Sequence, residues 1–138
     1  MSYTFIDHTA DIGIRVCAPD PATLFAEAGR ALAEMTGASC TQNEKAEGEM
    51  SLEVSVEGID QADLLVRWLQ ELLFLIETRE MCIASIRIAE LDETRLKAGI
   101  RALRRTAPLS REIKAVTYHN LSIRHIHNSF EVTIIFDM

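Results

Sequence analysis

The sequence predicts an α+β fold of two layers, a mostly antiparallel β-sheet with two main helices packed on one of its faces. Three observations predict it. Two segments of helical spacing open on aspartates suited to capping. About seven shorter segments alternate apolar and polar residues with the period of a strand. Most of those are joined by connections short enough for hairpins, which make a sheet antiparallel. The 138 residues hold no repeat, low-complexity tract or Pro/Gly-rich linker, so residues 1–138 read as one domain, large enough to bury a core.

The first stretch, YTFIDHTADIGIRV, sets Asp7, His8, Thr9 and Asp11 between two apolar runs. Ile12, Ile14 and Val16 then alternate with Gly13, Arg15 and Cys17, a strand with one buried face. Asp20-Pro21 supplies an N-cap followed by proline at the first helical position. The helix carries Leu24, Phe25, Ala28, Leu32 and Met35 on one stripe, and Gly37 is placed to end it. MSLEVSVEG is the next strand, alternating through Met50, Leu52, Val54 and Val56. Asp60 caps a second helix, whose Leu64, Leu65, Trp68, Leu69, Leu72, Leu73 and Ile76 cover one broad face. Phe74 and Leu75 spill beyond that face, which implies deeper burial or a contact surface.

Everything after the second helix reads as strand. MCIASIRIAELD and TRLKAGIRALRR flank a polar turn near Asp92-Glu93, and AVTY, LSIRHIH and FEVTIIF follow. With Asn128-Ser129 as a two-residue turn, His127 faces Phe130, His125 faces Val132 and Ile123 faces Ile134. That register sets both histidines at the tip of the apolar face. An H-x-H pair can ligate zinc, but it has no third ligand here beyond His119, so a structural or solvent-edge role is preferred.

Composition excludes several classes. The chain is 48% hydrophobic and 25% charged, ordinary for a soluble globular protein, and its net charge of -7 argues against a general nucleic-acid binder. No signal peptide opens it, and LLFLI at 72–76 is too short to span a bilayer, so a cytoplasmic location without membrane contact is expected. Cys17, Cys40 and Cys82 are odd in number and lack CxxC spacing, so they are expected to be reduced thiols. Arg95, Lys97, Arg101, Arg104, Arg105, Arg111 and Lys114 form a basic stretch broken only by Glu112; no aromatics interleave it for base stacking, so a solvated face is the plainer reading. Residues 44–63 are conversely acidic. There is no GxGxxG, P-loop or GxSxG, and nothing demands catalysis by this chain.

The two ends of the sequence carry its chemistry. A strand runs into Asp137, followed by Met138 with its main-chain and terminal oxygens. Adding Asp11 makes an all-oxygen donor set suited to Ca²⁺, Mg²⁺ or Mn²⁺ rather than zinc. The residues alone leave a second reading equally open, in which Asp11 is a turn residue and Asp137 merely ends a strand.

DHTADIGIRV, KAVTYHNLSI at 114–123 and FEVTIIFDM at the end, in this order, resemble the archease family over essentially the whole chain. The resemblance implies a small α+β protein that is a cofactor of the GTP-dependent RNA-splicing ligase, not itself an enzyme. That ligase joins 2′,3′-cyclic-phosphate or 3′-phosphate RNA ends to 5′-hydroxyls, in tRNA splicing or RNA repair. In the family, archease promotes guanylylation of the ligase and its multiple turnover, with only indirect contact to RNA. The family's metal site carries over onto Asp11, Asp137 and Met138, and His8 and Thr9 of the same motif take a turn-shaping or supporting role. The segment ALRRTAPLSREI departs from the family, where many members carry a Gly-Glu pair and further acidic or histidine residues. Two other functions stand beside this one: a chaperone-like binding module for RNA-modifying enzymes, and a metal-dependent hydrolase using Asp11 and Asp137, for which no general base is evident. The sequence leaves oligomeric state open.

Overall fold

A computed structural model describes residues 2–7, 11–40, 49–118 and 121–138. The order is β1 (Ser2–Asp7), β2 (Asp11–Ala18), α1 (Pro21–Thr36), β3 (Met50–Glu57), α2 (Gln61–Glu77), β4 (Met81–Leu91), β5 (Arg95–Arg104), β6 (Ala115–Val116), β7 (Arg124–Ile126) and β8 (Ser129–Asp137). The fold is α+β with antiparallel strand pairing throughout these elements, and the strands divide into two sheets. One has the order β1-β2-β8-β6, with β7 also paired to β8; the other is β3-β5-β4.

Both helices begin where the sequence sets their caps. Asp20 accepts from Thr23 N at 2.7 Å and Asp60 from Asp63 N at 2.8 Å. Gly37 ends α1 at φ 80°, a conformation open to glycine, and its N–H reaches back to the last carbonyls of the helix. The apolar stripes of α1 and α2 face one another and the two sheets. Trp68 is fully buried between them, its Nε1–H donating to the Phe25 carbonyl at 2.9 Å. Beyond the α2 stripe, Leu75 is buried but Phe74 is 45% exposed, with the Arg79 guanidinium over its ring.

The β4–β5 hairpin turns at Asp92, whose Oδ1 accepts from Thr94 N and Arg95 N, both at 2.9 Å. Leu96, Ala98 and Ile100 are buried while Arg95, Lys97 and Arg101 stand exposed. Arg95 pairs with Glu57 and Arg101 with Glu49. Arg105 is different. It is half-buried and donates to the Ile76 carbonyl at 3.1 Å, a cation closing the C-terminal end of α2.

Two expectations are corrected. The three cysteines are not all free: Cys40 and Cys82 form a disulfide, and only Cys17 remains a thiol. Their Cα atoms are 5.6 Å apart because Ile83 exchanges main-chain hydrogen bonds with Ala38 and Cys40, a neighbourhood that spacing along the chain does not reveal. The final hairpin turns one residue earlier than expected. Ser129 pairs with Ile126 and Phe130 with His125, so His127 lies in the turn at φ 53° instead of facing Phe130. His125 and His127 therefore do not share a strand face. The His125 ring instead stacks on Phe130, with centroids 4.3 Å apart, which is the structural role.

Candidate functional site

The buried rows of β2 and β8 end together. Ile12 pairs with Phe136, both at the core, and the next pair outward is Asp11 with Asp137. Strand partners in register stand with Cα atoms about 4.5–5.5 Å apart, so the two aspartates are immediate neighbours although they come from opposite ends of the sequence. On the other side of β8, Ala115 of β6 pairs with Asp137, and Lys114 N–H donates to the Asp137 carbonyl at 2.8 Å. Asp137 and Met138 are exposed. One end of the larger sheet thus presents Asp11, Asp137 and the start of the 114–118 segment side by side.

The donors available from Asp11, Asp137 and the main chain of Met138 are all hard oxygens, the chemistry that Ca²⁺, Mg²⁺ and Mn²⁺ require. Among the described residues, no cluster of three His, Cys, Asp or Glu side chains forms a metal centre. His8, Thr9 and His119, singled out in the sequence, lie outside the described residues.

A second cluster lies where the start of α2 meets the 114–118 segment, and the sequence reading missed it. Asp63, in the first turn of α2, is buried at 7% exposure, and both its carboxylate oxygens are used. Tyr118 Oη–H donates to Oδ1 at 2.6 Å; Ile59 N–H and Arg67 Nε–H each donate to Oδ2 at 2.9 Å. The Tyr118 hydroxyl, with help from the Ile59 amide and the Arg67 guanidinium, holds the Asp63 pKa down to about 2. The same bond raises the Tyr118 phenol above its ordinary value, because the proton is kept against the carboxylate. The available signal was an acid three residues after the Asp60 cap, a pattern that ties down a helix start. Its partner Tyr118 is too far along the chain for any local rule to find.

Among the described residues, no helix is long and apolar enough to cross a membrane. The archease protein family matches residues 3–138. An archease from Methanopyrus kandleri is 33% identical over 132 residues, covering 89% of each chain. One from Archaeoglobus fulgidus is 31% identical over 141 residues, covering 100% of both. Among solved structures, Methanobacterium thermoautotrophicum protein 1598 superposes with a TM-score of 0.71 at 28% identity, over 99% of this chain and 98% of that one. A Thermotoga maritima protein, an archease and possible chaperone, shares the fold with a TM-score of 0.70 at 22% identity, over 96% and 94%. A small α+β protein whose β2–β8 register sets two aspartate positions opposite each other at one sheet end is the class these features define. This chain belongs to the archease family.

Proposed function

We propose that the protein is an activator of the GTP-dependent RNA-splicing ligase, promoting its guanylylation and repeated turnover through the Asp11–Asp137 end. The observation that carries the reading is the β2–β8 register, which makes neighbours of the two aspartates that the family motifs single out. Asp11, Asp137 and the main-chain oxygens of Met138 would hold a divalent cation. Such a cation, when bound, supplies charge neutralisation at phosphate oxygens during phosphoryl transfer. The chain's own part is positioning: β8 is paired along one edge by β2 and along the other by β6 and β7, so the strand end that carries Asp137 is held from both edges.

The test follows formation of the ligase–guanylate with GTP and Mn²⁺ or Mg²⁺, with and without this protein, leaving nothing appended after Met138. Wild type accelerates the step, and Asp11→Ala and Asp137→Ala each abolish the acceleration. Asp137 is exposed at a strand end, so the variant unfolds within about 0.5 kcal/mol of wild type. Full activation by both variants refutes the reading. A second function, client binding of a chaperone kind, is favoured by exposed Phe74 on α2. It predicts suppression of a client's aggregation without added metal, lost in Phe74→Ser.

A further inference from the structure

The β3-β5-β4 sheet treats its two edges differently. β4 carries two register shifts against β5, and its outer side is bonded at Ile83 to Ala38 and Cys40. Bulges and covering segments are ways in which a sheet edge is kept from pairing with another chain. β3 has neither. Its eight residues pair with β5 in unbroken register, include no proline or lysine, and pair with no other strand among the described residues. Alternate residues of such an edge turn their N–H and C=O groups outward. Burial is incomplete at the same place. Leu52 and Val56 lie on the core side of β3 yet stay half-buried, whereas Ile100 and Leu96 beside them on β5 are each 1% exposed. Next to them, residues 55–57 and the α2 side chains Arg67, Gln70, Glu71 and Phe74 line a groove of about 390 Å³. An added strand completes both the ladder and the burial.

β3 is complementary to itself. In an antiparallel two-fold pair centred on Val54, that residue meets Val54 of the second copy, Leu52 meets Val56, Glu53 meets Ser55, and Ser51 meets Glu57. Apolar residues land on apolar ones, and no two carboxylates stand directly opposite. Centring on Glu53 or on Ser55 sets Glu53 against Glu53 or Glu57 of the other copy, which opposes pairing. Centring on Leu52 runs Val56 past the end of the other β3 and leaves the groove unfilled. The rim carries both signs: Arg67 bonded to Asp63, Glu57 bonded to Arg95, and Glu53 and Glu71 beside them. Such a border suits its own two-fold image better than a partner of one sign. We propose that this edge is an interface between two copies of the chain, paired β3 to β3 into one six-stranded sheet, with Leu52 of each copy seated beside Val56 in the groove of the other. The contact uses β3 and α2 only, so it stands apart from the activator reading.

The experiment is sedimentation of the full-length protein over about 1 μM to 1 mM, for wild type, Ser55→Glu and Ser55→Lys. Wild type shows a concentration-dependent equilibrium between monomer and dimer. Ser55→Glu sets two carboxylates directly opposite each other twice per dimer and weakens association about tenfold. Ser55→Lys sets an ammonium group against Glu53 at the same two points and strengthens association about tenfold. Ser55 is exposed, and its neighbour on β5 is Lys97, so within one copy glutamate is the favourable substitution and lysine the unfavourable one. A folding defect would therefore give the opposite order. A monomer throughout the range overturns the proposal. So does a dimer whose affinity is the same in all three proteins, or lower in both variants.

Discussion

Reducing the Cys40–Cys82 disulfide is expected to destabilise the protein by about 4 kcal/mol while leaving its native structure in place. The bond closes a loop of sequence separation 42, and closure of that loop removes about 13 cal/mol/K from the entropy of the unfolded chain. At 25 °C that is about 4 kcal/mol. The native side contributes little, because Ala38 and Cys40 are already bonded to Ile83 through their main chains at 2.6 and 3.0 Å. With a urea m-value of about 2 kcal/mol/M, the unfolding midpoint falls by about 2 M. Trp68, the single tryptophan and fully buried, reports the transition by its fluorescence. The curves are recorded with and without a phosphine reductant, and again for Cys40→Ala. Coincident curves refute the reasoning. Because the bond links α1's exit to the β3-β5-β4 sheet, the ligase activation proposed for the Asp11–Asp137 end is expected to be unchanged in reductant.

Two further tests probe the cap of α1 and the Asp63–Tyr118 bond. Gly37→Ala is destabilising by about 1–2 kcal/mol in urea unfolding, since φ 80° disfavours a Cβ and that Cβ would meet Ser110 Oγ at 2.7 Å; an unchanged midpoint contradicts the left-handed cap. Asp63, at 3.8 when unfolded and about 2 when folded, stabilises the protein above pH 3.8, and that contribution disappears as pH falls toward 2. Tyr118→Phe removes the largest cause of the shift, so carboxyl NMR should show Asp63 titrating closer to 3.8; no movement contradicts the bond.

What was legible in the sequence is what local chemistry decides. Asp20-Pro21 and Asp60 mark helix starts because a capping side chain and its amide lie three residues apart, and Asp92 marks the β4–β5 turn for the same reason. The buried stripes of α1 and of β5 follow from periodicity alone. Division of the strands into two sheets did not, because pairing is a choice between segments far apart in the chain. Registers suffer likewise: His127 adopting a left-handed turn shifts the β7–β8 pairing, and the turn carries no glycine to mark where it falls. At the site, Asp11 and Asp137 were found as residue types and motif positions, whereas their adjacency belongs to the β2–β8 register. Asp63 with Tyr118 and Cys40 with Cys82 are meetings of the same long-range kind.

The place of β8 has a consequence for the order of events during synthesis. β2 leaves the ribosome early, yet one of its two neighbours in the sheet is residues 129–137, which are translated after both helices and the whole β3-β5-β4 sheet. Pairing across such a separation is slow compared with helix or hairpin formation. A nascent chain stalled before β8 can therefore be largely helical and half-sheeted while lacking any Asp11–Asp137 pair. The Asp11–Asp137 pairing comes into existence only with residues 129–137, so its presence reports that every other strand and helix has already been synthesised.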